Sequence, residues 1–158
     1  MPEDHNSALA LFRRGPEILD KAIAGVSEDE SKFVPAPGKW TIRQTVRHLT
    51  DTEIVAGMRL RQMIAEDRPL MAVFDQDLWA GHLHYNECDV FASARKFRIL
   101  RDDMSEFLAP LSAEEFERVG LHPERGAWTL REWVNHFGLH AEKHAGQIQR
   151  IREVWSRR

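Results

Sequence analysis

A single cysteine, Cys88, stands in a chain of 158 residues. One thiol excludes an internal disulfide framework and any zinc site built on several cysteines. Long apolar runs are missing as well: no stretch approaches the ~20 residues that a membrane-spanning helix needs. The opening stretch, Met1 to Asn6, lacks the cationic-then-apolar pattern of a secretory leader. Nor does one sign of charge dominate. Lys and Arg number 22 against 25 Asp and Glu, a net charge of −3, which gives no overall pull toward nucleic acid or an anionic membrane. These absences lead us to expect a reduced, cytoplasmic protein with one domain over residues 1–158 and no nucleic-acid or membrane partner. What is present agrees: 42% apolar and 30% charged residues make a mix that folds around a core.

The apolar spacing is helical almost throughout, and no segment shows sustained period-two alternation. Leu9, Phe12, Ile18, Leu19, Ala22, Ile23 and Val26 outline a first helix over Ala8 to Val26, which Gly15-Pro16 is expected to kink or divide. After the connector VPAPGK, a second helix opens at Thr41 and carries Ile42, Val46, Leu49, Ala56, Leu60 and Met63 on one stripe. Glu66 to Cys88 reads as a long connection, of the kind that is often partly structured or functional. Asp89 caps a third helix through about Ala109, and Ser112 with Glu115 forms a small capping box. The fourth helix runs from about Leu130 to Trp155. The expected fold is all-α: a four-helix bundle with a long crossover between its second and third helices.

The chain also echoes itself. GKWTIRQTVRHL from Gly38 and GAWTLREWVNHF from Gly126 share Gly, Trp, Thr, Arg, Val and His at a constant offset of 88 residues. Such self-similarity predicts an internal pseudo-twofold repeat, in which each helix pair starts its second helix alike. Thr41 with Gln44, and Thr129 with Glu132, are capping boxes, each preceded by an apolar Trp that can staple to the first turn. Helix punctuation does not account for the His that follows each Thr by seven residues, His48 and His136.

The fourth helix carries His136, His140 and His144. Steps of four residues rotate about 40° around the axis, so His136 sits at the edge of the buried stripe and His144 within it. An i, i+4 histidine pair on one face can share a metal, but the Glu of a zincin is absent, because Glu142 points away from the stripe. His48 is the candidate third ligand, from the second helix. Three imidazoles suit zinc, nickel, iron or copper, and three protein ligands leave a coordination position open for chemistry. His5, His82, His84 and His122 fall in terminal or loop segments and read as solvated. Glu53 interrupts an apolar stripe. It acts on the site as an imidazole-orienting group or base, or pairs structurally with an arginine such as Arg43 or Arg95, the preferred reading.

PAPGKWTIRQTVRHLTDTE from Pro35, VFDQDLWA from Val73 and HPERGAWTLREWVNHFGLHAEKHAGQI from His122 resemble the DinB-like superfamily, and more closely its DinB/YfiT-like branch. The resemblance spans nearly the whole chain in order. It implies an up-down-down-up bundle, often a homodimer, with a divalent metal, commonly zinc or nickel, on a triad of His48, His140 and His144. His136 then lines the pocket or packs behind the ligands. The family includes S-transferases that use low-molecular-weight thiols, and members assigned only as hydrolases; its name does not imply DNA binding. Thiol transfer to a small-molecule substrate is slightly favoured over hydrolysis, with a non-catalytic metal- or ligand-binding dimeric bundle as the rival. Asp75, Trp79 and Tyr85, in the crossover, could wall the pocket or meet a partner copy. Cys88 has no adjacent cation to activate it and reads as inert.

Overall fold

The computed structural model describes residues 4–158. Met1 to Glu3, part of the stretch read above for a leader, lie outside that range. Four long helices dominate: α1 His5–Ile23, α3 Ile42–Ala65, α5 Val90–Leu108 and α6 Leu130–Ser156. Two short helices, α2 Glu28–Lys32 and α4 Gln76–His82, lie in the connections. The strands β1 Val119–His122 and β2 Gly126–Thr129 form an antiparallel hairpin before α6. Among the described residues no helix is long and apolar enough to cross a membrane.

Contacts between the long helices fix their directions. Arg14 meets Glu142 while Arg152 reaches Ala22 O, so α1 and α6 run the same way. Thr50 donates to Ser93 O and Arg61 pairs with Asp103, so α3 and α5 also run together. Arg59 lies over Trp133 while His48 meets His140, which sets α3 against α6. The order is up-down-down-up. Two parallel neighbours cannot be joined by a short turn, and this is why the connection from Glu66 to Cys88 is long. It is not a free loop. Its start is pinned to the hairpin, with Leu121 N donating to Pro69 O and Met71 N to Leu121 O, both at 2.8 Å. Its end is pinned to α3, where the Tyr85 hydroxyl donates to Asp51 at 2.6 Å.

The repeat has a physical form. Both capping boxes are complete, at Thr41 with Gln44 and at Thr129 with Glu132. Gly38 and Gly126 both adopt positive φ, +74° and +79°, a conformation that glycine reaches without steric cost. Each Trp then lies edge-on to the His two turns later, Trp40 to His48 at 5.0 Å and Trp128 to His136 at 5.7 Å between ring centroids.

Two expectations need correction here. Gly15-Pro16 does not divide the first helix, because α1 runs unbroken through both residues. Proline removes the amide that would bond the carbonyl four residues earlier, which is Phe12 O. That carbonyl instead accepts from Arg101 Nη1 at 2.8 Å. A Cβ at Gly15 would lie 2.6 Å from the same nitrogen, so Gly15 makes room for the guanidinium and Pro16 frees its acceptor. Glu53 does pair structurally with an arginine, the preferred reading, but the second correction is its partner, Arg101. Its two oxygens accept from Arg101 Nε and Nη2, each at 2.7 Å, and neither Arg43 nor Arg95 is its partner. Arg43 bonds Ser31 and Glu28 instead.

This pair divides the core. One apolar cluster gathers Phe12, Leu60, Met63, Met104, Trp133 and Phe137, the other Leu19, Val46, Leu49, Phe97, Ala141 and Ile148. Between them lies a polar layer, Glu53 and Arg101 at 2% and 1% side-chain exposure. Arg101 Nη2 also donates to Phe137 O, so one guanidinium touches α1, α3 and α6 from α5. The histidine column lies at the same height.

Candidate metal centre

The capping box at Thr41 starts α3 so that His48 faces α6, and the box at Thr129 sets the phase of α6. His140 and His144 then lie one turn apart opposite His48. His48 Nε2 lies 3.2 Å from His140 Nε2, and His144 Nε2 lies 3.1 Å from the same atom. An ion about 2.0–2.1 Å from each nitrogen, in a tetrahedral arrangement, would set such nitrogens about 3.3 Å apart. Hydrogen bonds alone cannot complete the cluster. A ring nitrogen carries either one proton or one lone pair, so His140 Nε2 can make a well-aligned bond to only one of its two neighbours. A cation that accepts three lone pairs satisfies all of them, and the donor set fits one.

The outer nitrogens support that orientation. His144 Nδ1 donates to Gln147 Oε1 at 2.8 Å, which leaves the Nε2 lone pair facing inward. His48 Nδ1 lies 3.5 Å from Thr52 Oγ1. Burial, reinforced by neighbouring imidazoles, lowers the pKa of His48 to about 3 and that of His140 to about 2. His144 is lowered too, chiefly by burial, with Gln147 opposing. All three rings are therefore neutral at pH 7, the form that ligates metal.

The triad opens on a cavity of about 370 Å³. Its wall takes Thr52 and Arg59 from α3, Val73, Phe74 and Gln76 from the crossover, and His122, Glu124 and Arg125 from the hairpin. Trp133, His136, Phe137 and Lys143 complete it from α6. His136 belongs to this wall, its ring held edge-on by Trp128 and Trp133 and its pKa lowered to about 4, mainly by burial. Glu53 is not in the lining, both oxygens being engaged by Arg101. Asp75, Trp79 and Tyr85 are also outside it: Asp75 caps α4, Trp79 packs on Phe74, and Tyr85 is buried against α3. Cys88 lies elsewhere, at the end of the crossover.

His122 differs from its expected solvated state. It is 6% exposed, and its Nδ1 accepts from Glu124 N and Arg125 N across the hairpin turn. Arg59 was not anticipated in the site at all, although it lies eleven residues after His48 on the same helical face. Gln147 was readable, one turn beyond His144.

The sequence profile of the DinB superfamily matches residues 11–148. A candidate metal-dependent hydrolase of Oceanobacillus iheyensis is 26% identical over 142 residues, covering 89% of this chain and 82% of the relative. The uncharacterized protein YuaE of Bacillus subtilis is 25% identical over 158 residues, covering 92% of this chain and 97% of its own length. Among solved structures, YfiT from Bacillus subtilis, described as a candidate metal-dependent hydrolase with an unusual four-helix bundle topology, superposes with a TM-score of 0.86. The match covers 93% of this chain and 85% of YfiT at 21% identity, a likeness of fold.

Proposed function

The chain belongs to the DinB superfamily, and on that footing we propose that it is a metal-dependent hydrolase that holds a divalent ion, zinc or nickel, on His48, His140 and His144. The observation that carries this is the meeting of three Nε2 atoms from two helices at the edge of a cavity. The names borne by relatives from Oceanobacillus iheyensis and Geobacillus thermodenitrificans point the same way. A divalent ion with an open position polarises a carbonyl or phosphoryl oxygen and lowers the pKa of a bound water to about 7.

The chain's own groups prepare the rest. Gln147 and Thr52 hold the outer ring nitrogens, so that the inner ones converge. Val73, Phe74, Trp133 and Phe137 give the cavity an apolar portion beside the triad, against which an apolar part of a substrate can pack. His136, neutral at pH 7, offers a lone pair to a group in the cavity. Thiol transfer, favoured above from sequence, loses precedence. The names of the relatives from Oceanobacillus iheyensis and Geobacillus thermodenitrificans point to hydrolysis, and none of those compared names a thiol.

A panel of esters, amides and phosphoesters, assayed with Zn²⁺ or Ni²⁺ against a panel of thiol plus electrophile, tests the proposal. Saturable, metal-dependent hydrolysis that His140→Ala abolishes is the expected result. Turnover confined to the thiol panel would overturn it.

A further inference from the structure

The cavity wall carries a charge that the protein itself does not neutralise. Although the chain as a whole is slightly acidic, the lining contributes Arg59, Arg125 and Lys143 against one carboxylate, Glu124. Arg59 is the informative member. It is 6% exposed, its Nη2 donates to Ala72 O at 2.6 Å, and its Nε is buried with no acceptor. Among the described residues no carboxylate lies within ion-pair distance of it. The other buried arginines are served differently: Arg101 has both oxygens of Glu53, and Arg43 has Glu28 and Ser31. A buried guanidinium without a counter-ion is costly, and nearby Arg125 adds to that cost more than Glu124 relieves it.

A second orphan lies beside the first. Trp133, whose ring is 5.3 Å from the Arg59 guanidinium, also lines the cavity, and its buried Nε1 has no acceptor. Both nitrogens are closed off from the cavity, so what faces it is the charge balance: the guanidinium of Arg59, which has no counter-ion, with Arg125 and Lys143, against Glu124 alone. Such a wall lacks one kind of group, an oxyanion. Guanidinium groups bind carboxylate and phosphate through paired N–H donors.

We infer that the substrate carries a carboxylate or phosphate that docks against Arg59, Arg125 and Lys143 while its scissile bond lies at the histidine triad. This rests on the hydrolytic reading above. The charge would fix which end of a small substrate faces the imidazoles. Arg59, tied to the crossover through Ala72, is the fixed anchor, and Arg125, exposed on the hairpin over Trp128, is the outer contact.

The test is calorimetric titration of the full chain, freed of metal by chelation, with inorganic phosphate and separately with succinate at low ionic strength. Working without metal removes any anion binding by the ion itself. Saturable binding is expected, weakened about tenfold or more by Arg59→Gln and by Arg125→Gln, and partly kept by Arg59→Lys. The anion that binds more tightly identifies the class. Arg125→Gln guards against a folding defect in the buried variant, since Arg125 is exposed. Absence of saturable binding, or binding unchanged in Arg125→Gln, overturns the inference.

In the metal-loaded protein, a carboxylate-bearing ester should exceed its neutral isostere in kcat/KM, and Arg125→Gln should erase most of that preference. Hydrolysis of neutral esters without any anion binding would sink this inference alone. Anion binding without hydrolysis of any ester, amide or phosphoester would sink the hydrolytic reading and leave the anion site standing.

Discussion

At His140 Nε2 two neighbouring nitrogens sit within 3.2 Å, an arrangement that neutral imidazoles cannot satisfy among themselves. In the proposed centre the residues behind the three rings would then matter almost as much as the rings. Gln147→Ala removes the acceptor that fixes the His144 tautomer and should weaken metal binding about 10- to 100-fold, measured by competition with a chromophoric chelator, with unchanged far-UV circular dichroism. The same rings predict a pH dependence. His48, His136 and His140 have pKa values lowered in the folded state to about 3, 4 and 2. Below pH about 6.5 the unfolded chain takes up protons that the folded chain refuses. Their contribution is thus complete above that pH and lost as the pH falls toward the folded values. Metal-free protein should unfold at a lower urea midpoint at pH 5 than at pH 7.5, and equal midpoints would count against buried neutral imidazoles. The spacing of His140, His144 and the repeat-related His48 was legible because it is local or echoed. Arg59 and His122 were not, because their burial depends on the crossover and hairpin that close over them.

Among the elements, α1 shows most clearly how a distant side chain overrides a local rule. Pro16 would ordinarily interrupt a helix, yet Arg101, from α5, supplies the donor that Phe12 O lost. Arg101→Met should cost about 3–5 kcal/mol in urea unfolding, since it leaves Glu53 buried without its partner. In a Pro16→Ala background the same substitution should cost less, by about 1 kcal/mol, because residue 16 regains an amide able to reach Phe12 O. Strict additivity would show that Arg101 does not stand in for that amide. No periodicity in α1 announces a partner 89 positions away, which is why only the proline's expected effect could be read. The hairpin was missed for a related reason. GKWT and GAWT look alike, but only the second copy has a VGLH segment to pair with, and pairing is a property of two segments together.

The molecule as a whole is a bundle whose up-down-down-up order follows from cross-helix contacts, and whose long crossover follows from that order. The four helices, the repeat and the crossover were legible because each long helix buries one apolar stripe. The polar layer between the two apolar clusters was visible only as the misfit Glu53. This layer places the histidine column at mid-height, so an ion bound there would tie α3 to α6. Zinc or nickel at about 100 times its dissociation constant should stabilise the fold by about 2.7 kcal/mol, raising Tm by about 5–11 °C in a thermal scan. His48→Ala should abolish that rise without removing the far-UV helical signal.

Elemental analysis of untagged protein, purified without added metal, bears most directly on the centre itself. The expected result is about one zinc or nickel ion per chain, reduced to near background in His144→Ala. A protein devoid of divalent metal, or a His144→Ala variant that keeps its ion, would contradict the triad as a metal centre.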